Sequence, residues 1–237
     1  MFTEANEYCP ESVFEVYTDQ KPSEQIFLST QYGQIQGVRG IPNLGWGFNG
    51  PSQLLMDSYE AGDPRKAATI IADGETIEGK KVKADAAAYK YFNKKVYVSI
   101  AERTSYGRAS DIQAYWMNIR LIRYADVLLM HAEAACELGN TTEALDKLEM
   151  VRNRARNGNT GVLPKITTTD IAELRAKIHQ ERRIELALEW ERFFDLVRWD
   201  EAKDAIPNFI VGKHELFPIP QIEIDNSEGL ITQNPGY

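Results

Sequence analysis

Between residues 121 and 155 small and apolar side chains recur at spacings of three and four, with one interruption at Gly139-Asn140. This pattern narrows the possible folds more than any other. Leu121, Ala125, Leu128, Ala132 and Ala135 share one face of an expected helix, and Ala144, Leu148, Val151 and Ala155 share one face of the next. Gly139 is a helix stop, and Asn140 followed by Glu143 is a capping signature. The spacing therefore predicts an antiparallel helical hairpin with a very short turn.

A third helix is expected from Ile171, capped by Thr167-Thr168-Thr169-Asp170, with Leu174 and Ile178 on its apolar face. On the same side the face turns charged at Glu181, Arg182 and Glu185. From Glu181 to Arg198 five acids alternate with the arginines Arg182, Arg183, Arg192 and Arg198. One reading is a paired-carboxylate hydrolase site on Glu181 and Glu185. The other is a structural ion-pair hub of Glu181, Arg182, Arg183, Glu185, Arg192, Asp195 and Arg198. The hub is favoured, because abundant guanidinium groups hold every carboxylate ionised where glycoside hydrolysis needs one protonated.

The rest of the chain sorts into a loop-rich portion, 1–110, a helical portion, 111–205, and an extended tail, 206–237. In the first, Val13–Tyr17 alternates like a short strand, and 33–49, with five glycines and a proline, reads as loop. Pro51-Ser52 opens a short helix stopped at Gly62-Asp63-Pro64, and 72–83 reads as a surface hairpin or loop. In the tail Leu216-Phe217-Pro218-Ile219-Pro220 must be extended, and Asn234-Pro235-Gly236-Tyr237 is a turn.

Composition removes several functions. A net charge of -8 leaves no basic surface for phosphates, so nucleic acid is not expected as a partner. Cys9 and Cys136 lack metal-ligand spacing, none of His131, His179 or His214 follows a glutamate by three residues, and no nucleotide or cofactor motif is present. No cofactor and no metal are expected. No run of eighteen apolar residues occurs to span a bilayer.

Four segments and the terminal tail, taken in order, resemble the SusD/RagB family of outer-membrane nutrient-binding proteins. They are Glu11-Ser12-Val13-Phe14-Glu15-Val16; Gly45-Trp46-Gly47-Phe48-Asn49-Gly50-Pro51-Ser52 with Gly62-Asp63-Pro64-Arg65; Arg120 to Met130 with Ala132-Glu133-Ala134; Glu181 to Ala187 with Arg192 to Trp199; and Gln233-Asn234-Pro235-Gly236-Tyr237. Trp190 departs from the pattern at a position where the family often has glycine between helices. The resemblance implies a mainly α fold, with tetratricopeptide-like helical hairpins, a large irregular portion and few short strands, in a single domain. It further implies the C-terminal half of a longer lipoprotein facing outward from the outer membrane, whose anchor and N-terminal helices are not in this chain.

The same resemblance implies no enzyme. It implies capture of an oligosaccharide, by stacking and hydrogen bonding, for delivery to a SusC-like TonB-dependent transporter. The alternative is a helical-repeat adaptor whose ligand is protein. Aromatics outside the expected helix cores form the candidate ligand set: Tyr32, Trp46, Tyr106 and, at a helix entrance, Trp116, each with a packing role as its competing reading. Trp190 and Trp199 are expected in the core.

Overall fold

The computed structural model describes residues 2–21, 26–28, 30–85, 90–108 and 115–237. The chain divides into two compact units, 1–189 and 190–237, so the break falls just after the third long helix and not at the composition change near residue 110.

The irregular part of the first unit is a series of short elements. In order they are β1 (Ser12–Val16), β2 (Asp19–Lys21), β3 (Ile26–Leu28), α1 (Tyr32–Gln36), β4 (Gly40–Ile41), α2 (Gln53–Met56) and α3 (Pro64–Thr69). Then come β5 (Ile70–Ala72), β6 (Thr76–Ile77), β7 (Lys80–Lys81), β8 (Lys83–Ala84), β9 (Tyr91–Asn93), α4 (Ile100–Ser105) and β10 (Ile119–Arg123). Each strand pairs antiparallel with one other: β1 with β10, β2 with β3, β4 with β8, β5 with β9, and β6 with β7, so that of the hairpin or loop expected at 72–83 the hairpin is found.

The segment expected to be loop, 33–49, is instead tightly folded. α1 forms at its start, and the following turn folds back on it through Leu44 N to Val38 O, Trp46 N to Gln34 O, Gly47 N to Gly37 O and Phe48 N to Ile35 O, all 2.8–3.0 Å. Its glycines permit backbone-on-backbone approach. A Cβ at Gly45 would lie 2.2 Å from Gln34 O, and one at Gly33 would lie 2.2 Å from the Tyr115 ring. Composition marks such a segment as irregular, and only the contacts reveal that it is packed.

The long helices follow as α5 (Tyr124–Glu137), α6 (Thr141–Arg156) and α7 (Ile171–Glu185). Helical spacing from Leu121 overran the true start, because Ile119–Arg123 is captured by β1 as a strand and Leu121 is half exposed. The first turn of α5 is capped from far away: Glu11 O accepts from Tyr124 N at 2.7 Å, and Glu11 Oε1 accepts from Ala125 N at 3.3 Å. At its other end Gly139 is left-handed, as expected, and Asn140 N returns to Ala135 O. The Asn140 side chain makes no capping bond, and Glu143 pairs with His131 across the hairpin at 2.8 Å. Asp170 does cap α7, accepting from Glu173 N at 2.8 Å.

The core of this hairpin and α7 is Ala125, Leu128, Leu129, Ala132, Ala135, Cys136, Ala144, Leu148, Val151, Leu174 and Ile178. Its many alanines let the helix axes approach closely. Cys9 and Cys136 form no disulfide among the described residues. Among the described residues no helix is long and apolar enough to cross a membrane.

The second unit holds α8 (Glu191–Arg198), α9 (Ala202–Ala205) and α10 (Gln221–Asn226). Trp190, at its start, takes φ +80, the conformation glycine adopts most easily, so the helix break survives the tryptophan. Its side chain is over half exposed, contrary to the expected core position, whereas Trp199 is half-buried. The tail is stapled to the extended segment after Leu216: Asn234 Nδ2 donates to Phe217 O at 2.6 Å, and Tyr237 Oη donates to Leu216 O at 3.0 Å.

Candidate functional site

An open cleft of about 470 Å³ lies on the folded-back segment, lined by Arg39, Gly40, Asn43, Gly45, Trp46, Phe48 and Asp85. The hydrogen bonds to α1 turn the backbone N–H groups of Trp46 and Phe48 inward, and both side chains remain exposed, at 43% and 57%. Their rings meet edge to face with centroids 6.5 Å apart. Opposite them the β4–β8 pairing brings in Asp85, whose backbone N–H donates to Arg39 O at 3.0 Å. The side chains pair as well, with Arg39 Nε 3.2 Å from Asp85 Oδ2. The result is an apolar shelf bordered by an amide, a guanidinium and a carboxylate, a composition that suits a ligand with one flat apolar face and many hydroxyls.

Buried Gln36 ties the folded-back segment to β9. Its Oε1 accepts from Asn49 Nδ2 at 2.7 Å and from Asn93 Nδ2 at 2.8 Å, and its Nε2 donates to Tyr32 O.

Of the four aromatic candidates, Trp46 lines the cleft. Tyr32 is half-buried against Tyr115, ring centroids 5.6 Å apart, and Tyr106 is 39% exposed at the end of α4; neither lines the cleft. Trp116 must be withdrawn as a platform. It is 1% exposed, its Nε1 donates to Glu4 Oε2 at 2.6 Å, and Arg103 and Arg108 lie over its ring at 5.0 and 5.7 Å. Sequence reasoning missed Arg39, Asn43, Phe48 and Asp85. For Phe48 a signal existed, since Gly-Trp-Gly-Phe alternates and puts both rings on one side of an extended chain. For Asp85, some forty residues along, none existed.

The charged residues of α7 form a buried network whose partners differ from those expected. Glu181 pairs with Arg65 and, at 2.8 Å, with Arg152; Glu185 pairs with Arg65 at 3.2 Å, Arg123 at 3.1 Å and Arg154. Glu189 pairs with Lys95 and, at 2.6 Å, with Arg123, which also meets Glu11 at 2.9 Å. Asp63 caps α3 and grips Arg65 at 2.8 Å. These cations come from four separate parts of the chain, not from the neighbouring positions on α7, because adjacent helical residues diverge by about 100°.

Arg182 pairs with Asp126 of α5 at 2.7 Å. Arg183 donates to Leu54 O at 2.9 Å and has no carboxylate partner among the described residues, which removes it from the hub. Arg192, Asp195 and Arg198 belong to the second unit, where Arg198 pairs with Asp195 at 2.8 Å and both arginines flank the Trp199 ring.

Burial by itself would raise the Glu185 carboxyl, but Arg123, Arg154, Lys95 and Arg65 outweigh it and hold the group well below its ordinary value of 4.5. A depressed folded-state pKa contributes stability that is complete above the unfolded value and is lost as pH falls below it. Urea midpoints should accordingly be flat near neutrality and decline steadily below pH 4.5. Glu185→Gln should flatten that acid slope, and an unchanged slope would remove Glu185 as its source. Glu181 and Glu185, 3% and 4% exposed and held by arginines, lack the open space in which a hydrolase pair receives its substrate.

A model of the SusD family matches residues 10–237. The chain belongs to the SusD family. SusD-like protein P2 of Formosa agariphila is 29% identical over 236 residues, covering 88% of this chain and 46% of that relative. A solved structure described as a laminarin binding SusD-like protein is 30% identical, with a TM-score of 0.77 over 100% of this chain and 52% of that one. Surface glycan-binding protein A from Bacteroides thetaiotaomicron, solved with laminarihexaose, shares the fold at 24% identity, TM-score 0.76, over 98% of this chain and 54% of that one. The SusD-family chain therefore spans about half the length of the relatives it matches. SusD family proteins are non-catalytic glycan-binding proteins, typically lipoproteins of the outer membrane.

Proposed function

We propose that this SusD-family chain belongs to an outward-facing lipoprotein of the outer membrane that captures an oligosaccharide on the Trp46–Phe48 shelf and passes it to a SusC-like TonB-dependent transporter. The observation that carries this reading is the cleft itself: two exposed rings beside Asn43, Arg39 and Asp85. Stacking on the rings removes the apolar C–H face of a sugar from water, and the polar border matches its hydroxyls. Binding to a laminarin ligand by a relative 30% identical over this whole chain supports a glycan as the ligand class. Asp85 is the one carboxylate among the described lining residues, where glycoside hydrolysis uses a pair, so on this reading ligand leaves unaltered.

Calorimetry against neutral hexasaccharides with β-1,3, β-1,4 and α-1,4 linkages tests the reading, together with an assay for new reducing ends. The expected result is micromolar or weaker binding of at least one of them and no new reducing ends. Binding of none would sink the glycan reading, and release of product would sink its non-catalytic part. Co-purification with a co-expressed SusC-like transporter tests delivery, and failure to co-purify would sink that part.

A further inference from the structure

Among the described residues the two charged ones that line the cleft are Arg39 and Asp85, and they face one another. We infer that this ion pair makes the cleft select uncharged glycans over acidic ones, an inference that rests on the glycan reading of the site. Both side chains are nearly half exposed, at 45% and 46%, so an incoming ligand reaches both. They are not independent of each other. Asp85 follows β8 and Arg39 precedes β4, the register Gly40 to Ala84 and Ile41 to Lys83 sets them side by side, and the Asp85 N–H bonds to Arg39 O. Gly40 permits this closeness, since a Cβ there would lie 2.1 Å from Lys83 O.

The backbone therefore holds the carboxylate next to the guanidinium, at an effective concentration that free ligand does not match. A uronate or sulfate entering the cleft must displace Asp85 and then sit against its negative charge, where the described lining residues offer no second cation. The net charge of -8 adds repulsion at longer range. A neutral sugar meets neither obstacle. One hydroxyl donates to the Asp85 carboxylate while a neighbouring hydroxyl oxygen accepts from Arg39, so a vicinal diol satisfies the pair without breaking it.

The test compares wild type, Asp85→Asn and Trp46→Ala with two probes, the tightest neutral hexasaccharide of the panel and hexagalacturonate, at low and high salt. Wild type should favour the neutral probe by more than tenfold. Asp85→Asn should cut that preference at least tenfold through a gain in uronate binding that salt suppresses, as Arg39 becomes free to grip a carboxylate. Wild type binding both probes within threefold of each other overturns the inference, as does an unchanged ratio in Asp85→Asn. If Trp46→Ala retains neutral binding, the site assignment itself falls; if it loses binding while Asp85→Asn shows no change, only the charge filter falls.

Discussion

Replacing Glu185 by alanine is expected to destabilise the fold by about 3–5 kcal/mol, the range for breaking a buried ion pair from one side. The carboxylate is 4% exposed and stands among Arg65, Arg123 and Arg154. Removing it strands positive charge where water cannot compensate. The figure belongs at the lower end of the range, because Arg65 keeps Asp63 and Glu181, and Arg123 keeps Glu11 and Glu189. The Lys95 ammonium also keeps its bond to the backbone carbonyl of residue 185, at 2.9 Å. Urea unfolding followed by far-ultraviolet circular dichroism reads the loss. Glu137→Ala is the comparison: its pair with Arg175 is open to solvent on both sides and should cost far less. Equal unfolding curves for the Glu185 and Glu137 variants would show that the network does not hold the helices together.

The second large effect is on binding. Trp46→Ala should weaken the tightest neutral glycan roughly 30-fold, since truncating a central aromatic anchor costs about 2 kcal/mol or more. Stability should hardly change, because the ring is 43% exposed and the bond from Trp46 N to Gln34 O does not involve the side chain. Phe48→Ala should act in the same direction, and the double variant should fall below detection in calorimetry. Tyr106→Ala, outside the cleft lining, is the control for a general loss of aromatic surface. Wild-type affinity in Trp46→Ala, or a loss confined to Tyr106→Ala, would move the site to α4.

Much of the helical part was legible because its signals are local. The face Ala144, Leu148, Val151 and Ala155 is buried, Gly139 is the left-handed stop, and Asp170 is the cap of α7. The start of α5 was misread because Ile119–Arg123 fits both periods, and the decision lay with β1, a hundred residues earlier. Trp190 departs from the family pattern where glycine is frequent, and its backbone takes the glycine-like conformation all the same.

The candidate site divides in the same way. Trp46 was visible as an aromatic in a Gly-rich segment, but nothing local separates it from Trp116, which also lies outside the expected helix cores. One is raised on a backbone zipper to α1; the other is buried under Arg103 and Arg108. The charged helix was visible too, although its partners Arg65, Arg123, Arg152 and Arg154 were not.

The sequence by itself determined the helical hairpin, its stop, the cap of the third helix, and the family, since periodicity, caps and ordered motifs are properties of neighbouring residues. Tertiary structure alone decided which arginine meets which carboxylate, that 33–49 folds onto itself, and that Asp85 sits beside Arg39 at the border of the cleft. The physical reason is that an ion pair or a two-residue strand pairing is set by whichever segments the packing brings within about 3 Å, a distance that sequence separation does not encode.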